Sequence, residues 1–300
     1  MAVGMAILTG NQSETDASSY GTASITPTAN RLVLVSIYTE LAGTPNAPTL
    51  SGCGLTWVQV VTQTGNNRRI TLLRAMGASP SSGAVTIDFA GQTQSRCLWS
   101  IVEFDGVATS GTNGSGAIVQ SASANGTSGT SLTVTLASFS NTDNATYGAL
   151  TLLNTLDIVP GIGFTEIHEI QNQYRYLEAE WRSDNDTSVD WSWASSAESC
   201  AVAVEIRAIL LAEVLLPAAA TVTSLAWLQA NATALLPAAA TATPLAQLQA
   251  NAAAALPATA TATPLARLQA NALALLAAAG DITPLGGLQY SADAALAAAG

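Results

Sequence analysis

The sequence predicts an all-β protein, an antiparallel β-sandwich of jelly-roll type followed by a C-terminal stalk of tandem repeats. Through residues 1–210, apolar and polar residues alternate in short runs that Gly, Pro, Asn and Ser separate. No helical stripe of apolar residues occurs before residue 205, and strands without intervening helices must pair antiparallel. From residue 214 onward, a phrase of twenty residues recurs four times.

The predicted strands follow one another at the short spacing that is typical of a sandwich. The runs 55–63 and 68–76 flank the turn 64–67 and predict a hairpin. Two further runs, 174–182 and 188–194, predict a second hairpin around residues 184–187. The remaining predicted strands are 31–38, 83–89, 97–104, 116–122, 131–139, 145–153 and 200–209.

The charge of the chain is low and changes sharply along it. Only 10% of the 300 residues are charged, and the net charge is −11. All nine basic residues are arginines, a balance that argues against nucleic-acid binding, because such proteins concentrate positive charge. Residues 214–300 contain only three charged residues, so we expect a sandwich domain at 1–213 and a stalk at 214–300. We find neither a signal peptide nor an uninterrupted span for membrane insertion.

The sequence offers little that could carry catalysis. His168 is the one histidine and no serine has the spacing of a nucleophile elbow, so we expect no enzyme and no catalytic or cofactor-binding residue. Glu166 and His168 are predicted to share a strand face, as are Glu178 and Glu180. We interpret both pairs as the solvated side of half-buried strands, and carboxylates of a glycosidase are the alternative. The inward face would then carry Ile167, Leu177, Ala179 and Trp181.

Metal sites are not predicted. Residues 183–190 hold three aspartates but lack the glycine and distal glutamate of a calcium loop, so a polar turn is the simpler interpretation and a structural calcium ion the alternative. Three widely spaced cysteines, Cys53, Cys97 and Cys200, fit no zinc pattern. We expect them to be small buried side chains, or one disulfide with a spare thiol.

The aromatic residues cluster between 174 and 193. Trp191 and Trp193 share a face with Val189 and are predicted to belong to the core. On the preceding strand, by contrast, two aromatic and two charged residues share one face, which we expect to be exposed to solvent. This face is the candidate glycan contact, because exposed aromatic rings beside carboxylates can stack on sugars. Its residues are Tyr174, Tyr176, Glu178 and Arg182.

Several phrases of residues 20–210 resemble a β-sandwich domain of bacteriophage and prophage virion proteins. The first are "LSGCGLTW" (50–57), "LLRAM" (72–76), "FAGQTQ" (89–94) and "EFDGV" (103–107), and "GTNGSGAIVQS", "WRSDNDTSVDWSW" and "AVAVEIRA" follow later. The resemblance implies a virion surface or fibre component such as a head decoration protein, a head fibre or a tail fibre. Short tandem repeats often follow this domain, and no catalytic residue can be transferred from the family.

The tail repeats its residues in step. Each copy carries two leucines at fixed positions, and "TVT" and "TAT" alternate as strands do. We favour a β-solenoid or an intertwined fibre, and short helices beginning at Thr263 and Pro264 are the alternative. The leucines predicted to mediate oligomerisation are Leu225, Leu228, Leu245, Leu248, Leu265, Leu268, Leu285 and Leu288.

The nearly uncharged tail predicts association, because an isolated copy would expose a large apolar surface. We expect a homotrimer that contacts a major capsid or tail protein at a virion surface assembled in the host cytoplasm. The function that follows is a non-enzymatic virion structural protein. The alternative is a glycan-binding adhesion module that contacts a host-surface glycan, on a bacterial cell surface or secreted.

Overall fold

The computed structural model describes residues 3–209 in full and, between 210 and 300, the backbone of twelve short strands. It divides the chain into two compact units, Met1–Ile209 and Leu210–Gly300. The predicted all-β class is confirmed, since a single 3-10 turn at Ser115–Ala117 is the one helical element in the described parts. No helix there is long and apolar enough to cross a membrane.

The first unit contains fifteen strands, most of which match the predicted runs. They are β1 Gly4–Ser13, β2 Ser19–Gly21, β3 Leu32–Glu40, β4 Thr49–Ser51, β5 Val58–Thr64, β6 Arg68–Ala75, β7 Thr86–Asp88, β8 Arg96–Asp105, β9 Ile118–Gly126, β10 Ser131–Thr135, β11 Ala145–Leu152, β12 Thr165–Gln171, β13 Tyr176–Arg182, β14 Ser188–Ser192 and β15 Ser199–Ile206.

These strands form four antiparallel sheets, as expected for a β-sandwich. Two sheets have five strands each, in the orders β1-β8-β3-β6-β5 (the first large sheet) and β12-β13-β11-β15-β9 (the second large sheet). The small sheet β2-β7-β4 shares a hydrophobic core with the first large sheet, and β10-β14 shares one with the second. A third core joins the two large sheets, where the rings of Phe104 and Tyr147 meet edge to face at 5.9 Å.

The two halves of this unit, β1–β8 and β9–β15, have the same strand order in their large sheets, which the sequence did not reveal; the second half has no counterpart of β4. In each half the first strand pairs with the last, and the last pairs with the third. The hairpins β5–β6 and β12–β13 have the same pairing register. The first residue of β5, Val58, lies opposite Arg74, and the first residue of β12, Thr165, lies opposite Trp181 at the equivalent place. Each also has an irregularity one residue further on, after Gln59 and after Glu166. We therefore describe the unit as a duplicated sandwich.

The layering explains why the central strands are buried on both faces. All nine residues of β3 and all eight of β11 are buried, because each large sheet lies between a small sheet and the other large sheet. Such strands carry near-continuous runs of apolar or small residues in place of a clean alternation. "LVLVSIY" in β3 is an example.

One predicted hairpin is confirmed and one is wrong. β5 and β6 pair as neighbours, as expected. By contrast β13 pairs with β11 and β12, whereas β14 pairs with β10 in the small sheet. Residues 183–187 therefore carry the chain from one sheet to another, because Val189 and Trp191 of β14 pack on the face of the second large sheet.

The described strands of the tail pair in parallel, each with the strand twenty residues later. In one set Leu228, Leu248, Leu268 and Leu288 lie in register. The strands are β16 Val214–Leu215, β17 Val222–Thr223, β18 Leu228–Ala230, β19 Ala234–Leu235, β20 Thr241–Thr243, β21 Leu248–Ala250, β22 Ala254–Leu256, β23 Thr261–Ala262, β24 Leu268–Ala270, β25 Ala274–Ala278, β26 Leu288–Tyr290 and β27 Ala295–Ala298. They form three sheets, β16-β19-β22-β25-β27, β17-β20-β23 and β18-β21-β24-β26.

Candidate functional site

The predicted glycan face is not a continuous exposed surface. Tyr174 is 49% exposed, but Tyr176 is 5% exposed and Glu178 is fully buried. Arg182 is partly buried, and its guanidinium binds Asp184 and Asp186. The expectation of an exposed face is wrong for Tyr176 and Glu178, because the small sheet β10-β14 and the segment before β12 cover this side of β13.

Beneath that cover lies a pair of buried carboxyl groups, and this pair is our candidate site. Glu178 and Glu180 are both fully buried. The indole Nε1 of Trp191 donates to Glu178 Oε2 at 2.5 Å, and the backbone N–H of Gly161 donates to Glu180 Oε2 at 3.0 Å. The Oε1 atom of each glutamate has no hydrogen-bond partner. The interpretation of the pair as solvated is therefore wrong, although Ile167, Leu177 and Ala179 do face the central core as predicted.

Burial is the main cause of the electrostatics of this pair. It raises the pKa of Glu178 well above the ordinary range, and the negative charge of Glu180 adds to the effect. It also raises the pKa of Glu180 to about 8, where the charges of Asp190 and Asp186 act in the same direction. Two neighbouring carboxyl groups with raised pKa values can hold protons at neutral pH, which is unusual for glutamate and marks a functional candidate.

Two exposed glutamates of β12 lie opposite the buried pair. Glu169 pairs with Glu178 across the strands, and Glu166 pairs with Glu180. Burial and the charge of Glu169 raise the pKa of Glu166. The predicted common face of Glu166 and His168 is wrong, since the irregularity between them turns His168 toward the first large sheet. There His168 Nδ1 lies 2.8 Å from Ser100 Oγ, and burial lowers the pKa of the imidazole.

In the acidic segment 183–190, residues 183–187 form a turn in which Asp184 and Asp186 bind an arginine, whereas Asp190 lies in β14. Arg182 Nη1 donates to Asp186 Oδ2 at 2.6 Å, and Arg182 Nε forms an ion pair with Asp184. The backbone N–H of Ser188 also donates to Asp186 Oδ1, at 2.8 Å. In the described part of the chain, no group of three or more His, Cys, Asp or Glu side chains is placed to hold a metal ion.

The predictions for the cysteines and tryptophans are confirmed. Cys53, Cys97 and Cys200 are free and buried. Trp191 is 1% exposed and Trp193 is 5% exposed, and both pack in the core between the second large sheet and the small sheet β10-β14. The eight leucines predicted for oligomerisation lie in the tail, where four of them fall on described strands; the side chains of all eight lie outside the described residues.

Two arginines that the sequence analysis overlooked connect the duplicated halves. Arg68 Nη1 donates to Glu198 Oε2 at 2.6 Å, from the first half to the second. Arg175 Nε donates to Glu40 Oε2 at 2.7 Å, from the second half to the first. Burial opposes ionisation of Glu40, but hydrogen bonds from Arg175 and Tyr38 outweigh it and lower its pKa.

Arg68 and Arg175 occupy equivalent places in the duplicated fold. Each arginine stands just before the residue that closes its hairpin, since Thr64 lies opposite Arg69 as Gln171 lies opposite Tyr176. The sequence gives little indication of this equivalence, because the two turns have an arginine in common but otherwise differ.

Comparison with known proteins adds no relative to this description. No family model matches the chain, and no curated protein and no solved structure is significantly similar to it.

Proposed function

We propose that this chain is a non-enzymatic structural protein of a bacteriophage virion, either a capsid decoration protein or a head or tail fibre. In this proposal the tail associates with further copies of the chain, and the duplicated sandwich is the part that is displayed. The single structural observation that carries the proposal is the parallel, in-register pairing of tail strands at intervals of twenty residues.

This pairing supports a β-solenoid for the stalk. Each strand has its partner twenty residues away in the same chain, whereas an intertwined fibre would draw partners from other chains. In a solenoid each turn contacts only its neighbours, so the stack can be extended with a simple repeat. With three charged residues among the last 87, such a stack has few charges to keep copies apart.

The strand order of the first unit supports a jelly roll in each half. In the first half the orders β1-β8-β3-β6 and β2-β7-β4 pair the first strand with the last and the second with the seventh, and in the second half β9-β15-β11-β13 and β10-β14 repeat this order with one strand fewer in the small sheet. Double-sheet jelly rolls occur in viral capsid proteins and in lectins. Because one fold serves many functions, this order favours no function by itself, and the virion assignment depends on the sequence resemblance as well.

Self-association is tested by light scattering on the full chain over a range of concentrations. We expect a mass that is a multiple of the chain mass of 30.4 kDa, three copies for a trimer. Proline at Gln249 and Gln269, inside β21 and β24, removes ladder N–H groups and should reduce the mass to that of one chain. Gln249→Asn with Gln269→Asn is the control. A soluble full-length monomer would show that the stalk does not associate.

The virion assignment is tested on particles. Mass spectrometry of bacteriophage particles purified from the source organism should detect this chain in a fixed ratio to the major capsid protein. Particles that lack the chain, although the cells produce it, would contradict the assignment.

Glycan binding is the second candidate, and the exposure of Tyr174 favours it. Tyr174 is 49% exposed, and the guanidinium carbon of Arg96 lies 5.2 Å from the centroid of its ring. A solvent-facing ring held in place in this way can stack on a sugar. Binding on a glycan array that Tyr174→Ala abolishes and Tyr174→Phe retains would favour this function over a purely structural one.

A further inference from the structure

The segment between β11 and β12, residues 153–164 (the strap), lies over the buried carboxyl pair and is hydrogen-bonded to it. Its backbone makes the fastening bonds. Ile158 N–H donates to Glu169 Oε1 at 2.9 Å, and Gly161 N–H donates to Glu180 Oε2 at 3.0 Å. Between these two, Val159 exchanges backbone hydrogen bonds with Ser192 at the end of β14. The apolar tip of the strap faces solvent, since Ile162 is 94% exposed.

Among the residues that the structure describes, no positive charge acts on the pair beneath the strap. Only a backbone N–H and an indole N–H favour its ionised form. The nearby arginine, Arg182, is engaged by Asp184, Asp186 and the carbonyl of Ile162. The titratable groups that face the pair or its cover are Glu166 and Glu169 of β12, Asp190 of β14, Asp186 of the turn before it, Asp157 of the strap, Tyr176 of β13 and Tyr147 of β11.

Two adjacent anions that are buried without a counter-charge are costly, and water reduces that cost. A proton on each carboxyl group removes the charge, whereas loss of the protons restores it next to four further carboxylates, those of Glu166, Glu169, Asp186 and Asp190. The strap is held over the pair by hydrogen bonds to Glu169, Glu180 and Ser192 and by a bond from Arg182 to the carbonyl of Ile162, and opening of the strap would admit water to the pair.

We propose that Glu178 and Glu180 are a proton-operated latch for the strap. With the pair protonated, the strap closes over it and the indole of Trp191 stays bonded to Glu178. When the pair loses its protons, repulsion within the pair and from Glu166, Glu169, Asp186 and Asp190 raises the strap and admits water.

The direction of the pH dependence follows from the closed state holding the protons more tightly than the open state. A glutamate in water has a pKa near 4.5, and burial under the closed strap raises the pKa of Glu180 to about 8 although the Gly161 N–H acts in the opposite direction. Protonation of Glu180 therefore stabilises the closed strap fully below pH 4.5. This stabilisation is lost progressively between pH 4.5 and pH 8, and the closed strap is least stable above pH 8.

The test is hydrogen exchange of the Ile158 and Gly161 amides in the full chain between pH 5 and pH 9, corrected for the intrinsic rate. We expect their protection to fall at least tenfold across this range, the effect of one unit of pKa difference. Protection of amides in β3 should not change. Equal protection at both pH values in the unmodified chain would overturn the proposal, and this outcome requires no variant to fold.

Two variants assign the effect to the pair. Glu178→Gln with Glu180→Gln keeps the shape and removes the titration, so protection should no longer depend on pH. Glu205→Gln is the matched control, because Glu205 is also fully buried but both its oxygens have partners, Asn144 and Gln120. It should retain the pH dependence of the unmodified chain. A pH dependence that persists in the double variant would overturn the proposal.

A cation could replace the protons, and the same experiment separates the two. Millimolar calcium at pH 9 should leave the strap amides unprotected if the latch is operated by protons. Protection restored by calcium in the unmodified chain, but not in the double variant, would mean that the pair holds a metal ion and would overturn the proposal.

Discussion

At the residue scale, the charged groups inside the duplicated sandwich fall into two kinds. Glu40 is buried but receives donors from Arg175 and Tyr38, and its pKa is lowered. Glu178 is buried with one neutral donor, and its pKa is raised. The first kind stabilises the fold when it is ionised and the second when it is protonated. The hydrogen-bond donors around a buried carboxyl group, and not its burial alone, therefore decide the direction of its pKa shift.

The arginines between the halves make a prediction about stability. Arg175→Met should reduce the free energy of unfolding by about 3 kcal/mol, because it leaves the carboxylate of Glu40 buried without its main counter-charge. Arg68→Met should cost less, about 1–2 kcal/mol, because Glu198 is 37% exposed at its side chain and can turn to water. Urea unfolding followed by circular dichroism measures both values.

Arg207→Met is the control for these two variants. Arg207 is exposed, so the same substitution should change the free energy of unfolding by less than about 0.5 kcal/mol. Equal losses at Arg175 and Arg207 would mean that the ion pair with Glu40 contributes nothing measurable.

At the element scale, the small sheet β10-β14 is what makes the second large sheet a buried layer. β14 sits directly on β11, where Gly148 provides the space for Val189 and Trp191. This contact buries the face of β13 that the sequence pattern predicted to be exposed to solvent. The position of one glycine thus controls how closely two layers approach.

Gly148→Ala tests this packing. A methyl group at Gly148 would lie 2.5 Å from Val189 Cγ1 and 2.7 Å from Trp191 Cζ2, so β14 must move. We expect a loss of about 1–3 kcal/mol in the free energy of unfolding, the usual cost of overpacking. Gly21→Ala in β2 is the matched control, since nothing lies within 4 Å of its added methyl group. A neutral Gly148→Ala would show that β14 is not closely packed on β11.

At the scale of the whole molecule, the two halves share one core although each repeats the same topology. β1 packs against β12 in the way that β9 packs against β5, and the two ends of the halves are joined by a bridge between Val107 and Ala208. The central core takes side chains from both halves. We therefore expect residues 3–209 to unfold as one cooperative unit.

Thiol labelling in urea measures this cooperativity. Cys97 lies in the first half and Cys200 in the second, both are fully buried, and burial raises the pKa of both thiols. Native protein should label at neither site, and both sites should become reactive at the same urea concentration. Labelling of Cys200 at a lower urea concentration than Cys97, resolved by peptide mass spectrometry, would show that the halves unfold separately.

Much of this description could be predicted from local pattern. The runs 31–38, 55–63, 68–76 and 97–104 became strands because alternation and β-branched residues reflect the pleat itself. Trp191 and the three cysteines were placed in the core because large or sulfur-bearing apolar groups have few other stable positions. Glu178 and Glu180 were also singled out from the sequence, but they were predicted to lie on a solvent-exposed face.

The sequence by itself determined the β class, most strand positions and the twenty-residue period of the tail, because these depend on spacing along the chain. Only the tertiary structure decided which faces meet water. Alternation shows that Tyr176, Glu178 and Glu180 share a side of β13, but a sheet from elsewhere in the chain and the strap cover that side. The duplication is likewise visible only in the strand pairing. The two halves share a strand order although their side chains differ.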